Sequence, residues 1–217
     1  MGSIDTMKLM GDAFVSLAER FPLEKISVSD IVAASGKNRK TFYYHFNDKS
    51  HLIRWIFRND LASLLQERFE GASLVYEENG EYAMPDLPYY TLKKTGIRSL
   101  DGSGFFCALA DTFQNRRAYY AKALRSNDPD GLRAYLLELY TPALEKDIRF
   151  ILSNRTLSES SIRFLAEVYA GAIVTYMANR LCDPAEHDIL SDIDPFGNIV
   201  HDSIEHMIKE QQFRRVL

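Results

Sequence analysis

The 217-residue chain has two cysteines, Cys107 and Cys182. That is too few for a disulfide framework, and reduced thiols in a cytoplasmic protein are the default reading. No apolar run approaches the ~18 residues of a membrane span, so no membrane partner is expected. The opening MGSIDTMKLMGDAF has no basic stretch followed by a long apolar one, which argues against a secretory signal. Internal repeats and low-complexity tracts are missing, which removes solenoid architectures. Glycine-rich phosphate loops, G-x-S-x-G elbows and H-E-x-x-H pairs are missing as well. No catalytic constellation, cofactor or metal site is expected. Cys107 sits in the apolar stretch GFFCALADTF, where a thiol behaves as a small hydrophobe. His201, Asp202, Glu205 and His206 form a His/acid cluster, but no second helix completes a four-ligand set, and they read as a solvated face.

What is present is 46% hydrophobic residues, ample for a packed core, and a net charge of −4 that is unevenly spread. Residues 1–58 hold nine Lys/Arg against six Asp/Glu, a surplus of three positive charges; the remainder holds 17 against 24, a deficit of seven. A basic head on an acidic body suits a small DNA-reading domain joined to a larger regulatory one.

Helical spacing dominates and strand alternation is not found, so the fold class is all-α. Met7, Met10, Phe14 and Leu17 form the stripe of a helix over about 5–20 that stops before Pro22. Ser27-Val28-Ser29-Asp30 resembles a capping box with Asp in the place of Glu, opening a short helix. Gly36 breaks it, and a third helix runs from Asn38 to about His45. Asn47-Asp48 offers the cap of a fourth over about 48–70. Residues 71–88 read as a long connection. Further helices are expected at about 89–99, 104–126 (in one or two pieces), 129–153, 158–182 and 195–213. Asp128-Pro129 and Asp194-Pro195 are placed to start two of them, and Pro142 to kink the third. The domains are expected at 1–47, a helix-turn-helix, and 48–217, a helical ligand-binding and dimerisation bundle.

The informative segment is ISVSDIVAASGKNRKTFYYHFNDKSHL, residues 26–52. Two short helices around a glycine turn, the second opening on polar and basic residues, are the layout of a helix-turn-helix. The first helix must hold the second at a fixed angle through Val28, Ile31, Val32 and Phe42. The second must be narrow and polar to enter a major groove ~12 Å wide. Lys37, Asn38, Arg39 and Lys40 lie at its leading end, where Arg39 can pair with guanine and Asn38 with adenine. Thr41, Tyr43, Tyr44, His45 and Lys49 supply donors suited to phosphate oxygens. The helix N-termini near Ser27 and Asp48 present free amides to phosphates, and Ser29 counts with Ser27 among the expected DNA-binding residues. Phe42 and Phe46 belong in the core. Five consecutive ring residues, Phe42 to Phe46, cannot all point inward from one helix, so at least one of Tyr43 and Tyr44 is expected in solvent.

At these residues the chain resembles the TetR/AcrR family of bacterial regulators, from about Ala13 to Leu52, through FPLEKISVSDI, ASG, TFYYHF and DKSHL. The resemblance implies a three-helix DNA-binding domain fused to a helical domain that dimerises and often holds an inducer. It implies that Arg39, Lys40 and Tyr43 touch bases, and that Thr41, Tyr44, His45 and Lys49 touch the backbone. Lys37 departs from the family, which usually has a small apolar residue there; it is either an extra DNA contact or a solvated substitute. Further on, FLAEVYAGAIVTYMANRLCDP (164–184) faintly resembles the subgroup related to activators of dihydroxyacetone kinase operons.

The expected function is a transcriptional regulator, a repressor, that binds a pseudo-palindromic double-stranded DNA operator as a homodimer. A recognition helix this short buries too little surface alone, so duplication by symmetry is expected. The dimer interface is placed on the last two long helices, with Ala170-Gly171-Ala172 for close approach and Ile162, Leu165, Tyr169, Ile173, Ile204 and Ile208 as apolar surface. Control is assigned to a small-molecule effector among the Tyr and Phe residues between 89 and 176, or alternatively to a protein partner with no inducer pocket.

Overall fold

The computed structural model describes residues 2–78, 83–91, 93–94, 100–126, 128–153, 157–183, 185 and 188–189. Eight α-helices order these residues: α1 (Ser3–Arg20), α2 (Val28–Ser35), α3 (Arg39–His45), α4 (Lys49–Arg68), α5 (Ser103–Asn115), α6 (Arg117–Arg125), α7 (Leu132–Leu152) and α8 (Glu159–Cys182). The chain is all-α in class. Its strand content among the described residues is four two-residue pieces: β1 (Leu74–Val75), β2 (Tyr90–Thr91), β3 (Lys93–Lys94) and β4 (Leu100–Asp101).

The helix starts follow from local chemistry. Asp48 opens α4 by accepting from the His51 amide at 2.7 Å, and Ser158 opens α8 by accepting from the Ser161 amide at 3.1 Å, which satisfies amides that a helix leaves unpaired. The segment 104–126 divides into α5 and α6 at Arg116.

Three expectations are corrected. The described residues of 89–99 are extended and not helical: β1 and β2 pair antiparallel, Leu74 opposite Thr91 and Val75 opposite Tyr90, and β3 pairs with β4. Tyr89 and Tyr90 are buried, and both rings lie near Tyr140 of α7, with centroids 6.4 and 6.2 Å away. Secondly, α7 begins at Leu132, not at Pro129. Asp128 instead closes a turn, its carboxylate accepting from the Asp130 amide at 3.0 Å and its carbonyl from the Gly131 amide at 2.9 Å. A Cβ on residue 131 would lie 2.9 Å from that carbonyl oxygen, so the turn requires glycine. Thirdly, the residues expected to build a dimer face, Ile162, Leu165, Tyr169 and Ile173, are buried within the chain. They pack towards α7, and Tyr169 joins Ile148, Leu152 and Leu165 in a cluster at one end. The expected helix at 195–213, with Asp194-Pro195, the His201–His206 cluster, Ile204 and Ile208, lies outside the described residues.

Pro142 lies inside α7 on its exposed side, and the helix continues through it to Leu152. Water can serve the carbonyl that proline leaves without a donor there.

α4 is the axis of the molecule. It packs on α1 at one end and on α5 and α7 at the other. One apolar cluster runs without a break from Met10 and Phe42 through Leu52, Phe57 and Leu65 to Phe113, Leu136 and Val174. The N-terminal helices and the larger bundle therefore share a core through this helix.

Candidate nucleic-acid interface

The helix-turn-helix is built from caps outward. The Ser27 hydroxyl accepts from the Asp30 amide at 3.3 Å, and the Asp30 carboxylate accepts from the Ser27 amide at 2.8 Å and its hydroxyl at 2.6 Å. This is the capping box legible in the sequence, and these hydrogen bonds hold the Asp30 carboxyl below its usual range. α2 ends at Gly36, whose φ of 66° is left-handed. The Lys37 amide then bonds the Val32 carbonyl at 2.9 Å, a turn that glycine adopts without steric cost.

Asn38 is the N-cap of α3 and not its first reading residue. Its amide oxygen accepts from the Thr41 amide at 2.8 Å and the Thr41 hydroxyl at 3.1 Å. The oxygen that a bidentate adenine contact would need is thus spent on the helix, and the Thr41 hydroxyl is spent with it. This corrects the expectation of a free Asn38.

α3 divides cleanly into two faces. Phe42, and Phe46 just beyond the helix, are buried. Phe46 lies edge-on to Trp55 of α4 at 5.8 Å. On the other face Tyr44 is 81% exposed and Tyr43 49% exposed, with Arg39 and Lys40 also in solvent. An aromatic ring that exposed is unusual for a surface serving only its own fold. Arg39 is held in place: its guanidinium donates to the Ser29 hydroxyl at 2.9 Å and to the Tyr43 hydroxyl at 3.4 Å, with its carbon 5.8 Å from the Tyr43 ring centre. Ser29 therefore reaches the interface through Arg39. Lys37 is half-buried. His45 closes α3 with Nδ1 3.5 Å from the Ser3 hydroxyl, and burial keeps its pKa below the ordinary value.

Lys49 is placed differently from expectation. Its ammonium donates to the Leu23 carbonyl at 2.8 Å and the Ile26 carbonyl at 3.2 Å. The cation thus ties the start of α4 to the 3-10 turn (Leu23–Lys25) that precedes α2. Two of its three N–H groups are committed within the fold, which a phosphate contact would have to displace.

Sequence reasoning missed the residues that clasp this domain to the bundle. Arg116 donates to Asp12 of α1 at 2.9 Å and lies 3.3 Å from Asp60 of α4. Asp60 also accepts from the Tyr120 hydroxyl at 2.7 Å. Its carboxyl is pushed up by burial, against the pull of Arg116. Lys122 donates to the carbonyls of Ala18, Glu19 and Phe21 at the end of α1, where a cation also meets the negative end of the helix dipole. Further along α4, Arg58 is fully buried. It pairs with Glu77 and donates to the Tyr135 hydroxyl at 3.0 Å and the Met84 carbonyl at 3.2 Å. No local motif marks these basic residues, and only the tertiary fold brings their partners, 19 to 104 residues away, into reach.

Comparison with known proteins meets this geometry. Residues 12–55 match the profile of the family described as bacterial regulatory proteins, tetR family. The HTH-type dhaKLM operon transcriptional activator DhaS of Lactococcus lactis subsp. lactis (strain IL1403) is 40% identical over 65 residues, which are 30% of this chain and 35% of that protein. This likeness thus spans about a third of the relative's length. Over nearly the whole chain, the solved structure of a dihydroxyacetone kinase operon activator DhaS superposes with a TM-score of 0.53 at 19% identity, covering 93% of this chain and 97% of that one. That is a likeness of fold. The N-terminal segment of residues 12–55, which holds the helix-turn-helix, is thus similar to the DNA-binding segment of bacterial regulatory proteins of the tetR family.

Proposed function

We propose that the chain regulates transcription by binding a pseudo-palindromic double-stranded DNA operator as a homodimer, α3 entering the major groove. The observation that carries this reading is the outer face of α3. Arg39, Lys40, Tyr43 and Tyr44 stand in solvent on a helix whose other face is locked by Phe42. Arg39 and Lys40 are the base-reading candidates. Arg39 is pre-positioned by Ser29 and Tyr43, which lowers the ordering cost of a bidentate guanine contact. Tyr44 and the helix N-termini at Ser27 and Asp48 address phosphates. Thr41 and His45 flank them, and Lys37 sits just ahead of the helix. Selection of binding sequences from random duplex DNA tests the reading.

Dimerisation is supported by the outward face of α8. Phe164 is 59% and Val168 46% exposed, Gly171 follows on the same side with no described neighbour within 4 Å of its Cβ position, and a helix apolar on both faces is one that is covered twice. This face replaces the buried isoleucines as the proposed interface. The sign of control, repression by the sequence expectation or activation as in the name of the curated relative, is read from a reporter fused to the selected operator.

Control through the larger bundle is part of the same proposal, and the bundle's interior bears on how it is exerted. The space among Tyr90, Phe105, Leu109, Tyr140 and Val174 is about 10 Å³, about enough for one water. Aromatic edges fill it, Phe105 lying 4.6 Å from Tyr90 and 5.4 Å from Tyr140. Among the described residues, this filled space favours an effector on the outside of the bundle over one inside it. It equally supports a second reading in which a protein partner docks there.

A further inference from the structure

An open groove of about 680 Å³ runs between the β1–β2 ribbon and α7. Leu74, Val75, Ala143 and Phe150 form its apolar walls, and Tyr90 and Asp147 meet within it. Its volume is that of a small-molecule site.

Asp147 is the group this groove leaves incomplete. One of its oxygens accepts from the Tyr90 hydroxyl at 2.6 Å. None of the ion pairs among the described residues includes it. Its neighbour Lys146 and the rim residue Glu70 also line the groove, and both are exposed. Burial raises the Asp147 carboxyl to about 6, with the Tyr90 hydrogen bond opposing the rise. Near neutral pH it is therefore a carboxylate, partly stripped of water and with no ion-pair partner among the described residues, on an apolar wall. Such a charge is costly to hold unless paired.

We propose that this groove binds a protonated amine with an apolar or aromatic body, the ammonium pairing with Asp147 and the body lying along Leu74, Val75 and Phe150. An ammonium supplies both the missing charge and N–H donors to the free carboxylate lone pairs. A carboxylate ligand would meet repulsion at Asp147, and a neutral alcohol would supply a donor but no charge. The proposal draws on the regulator reading only for its consequence. The ribbon segment is anchored to α4 by Arg58, through Glu77 and the carbonyls of Met84 and Leu87, so a ligand that shifts the ribbon acts on the helix that carries the DNA-binding domain.

The test is calorimetric titration of the full chain, near neutral pH, with 4-phenylbutylamine, 4-phenylbutanol and 4-phenylbutyrate, which share one apolar body. The amine is expected to bind about ten- to a hundredfold more tightly than the alcohol, the range for a hydrogen bond to a charged group, and the carboxylate most weakly. Asp147→Asn keeps an acceptor for Tyr90 and should bring the amine down to the alcohol's affinity. Phe150→Ala should weaken amine and alcohol alike. Equal binding of the three probes by the unaltered protein, tighter binding of the carboxylate through Lys146, or no binding overturns the proposal, and none of these needs a variant. Operator binding is measured on the same preparation without probe, so failure of the regulator reading registers separately.

Discussion

Lys49→Met removes an ammonium and keeps most of the aliphatic stem, which makes it a sharp test of whether this lysine holds the fold or touches DNA. In the structure its two hydrogen bonds, at 2.8 and 3.2 Å, go to carbonyls of Leu23 and Ile26, whose side chains are buried in the shared core. A charged donor bonded to a carbonyl contributes about 1.5–3 kcal/mol, and a buried acceptor left alone costs a similar amount. Lys49 is half-buried, so water takes over part of that role, and the expected loss is about 1–2 kcal/mol of folding stability. For a chain of this size that lowers the melting temperature by roughly 2–8 °C. Lys49→Arg should restore part of it. The assay is denaturant unfolding alongside operator affinity across a salt series, at a temperature where the variant is fully folded. A lysine on a phosphate contributes about one unit to the slope of log affinity against log salt, and the structural role predicts an unchanged slope. An unchanged unfolding midpoint with a slope reduced by about one unit would refute the assignment and return Lys49 to the DNA backbone.

Other consequences follow from the same geometry. Gly36→Ala forces a side chain into the left-handed conformation at φ 66° and should cost about 1–2 kcal/mol in chemical denaturation; a neutral result would mean that the turn relaxes freely. Asp147 has its folded-state carboxyl raised to about 6 from an ordinary 3.8, so the native state binds the extra proton, and stability should fall as pH rises from about 4 to 6. Asp147→Asn should remove that part of the slope, and parallel pH–stability curves for the two proteins would count against it. Phe164→Glu, on the exposed face of α8, should shift sedimentation from dimer to monomer without lowering the monomer's helicity. A dimer unaffected by it would place the interface elsewhere.

Much of the DNA-binding half was legible in the sequence because its signals are local. A capping box, a left-handed glycine and an N-cap before a helix lie within four residues of the groups they serve, and Ser27, Gly36 and Asp48 stand where that chemistry puts them. The division of TFYYHF into a buried pair and exposed tyrosines follows from helical geometry alone. Expectations failed where a residue's partner is distant. Lys49 meets carbonyls 23 and 26 residues away. In the described part of the span 89–99 the expected helix gives way to a ribbon, with Tyr89 and Tyr90 drawn against Tyr140 of α7 and Tyr90 against Phe105 of α5. The isoleucines of α8 looked available for a dimer because periodicity marks an apolar face without naming its occupant, and α7 already takes it. Asn38 fell between the two kinds: the same side chain suits a base or a cap, and the adjacent helix start decides.

The central claim is that the outer face of α3 reads DNA. Its most direct test is sequence selection from random duplex DNA by the unaltered chain and by Arg39→Ala in parallel. The unaltered chain should enrich two inverted half-sites whose centres lie about 34 Å apart, one helical turn. Arg39→Ala should lose preference at one position in each half-site, at a cost of about 1–3 kcal/mol there, while the remaining positions stay readable. Enrichment of no sequence by the unaltered chain, or identical sequence preferences for the two proteins, would contradict the account.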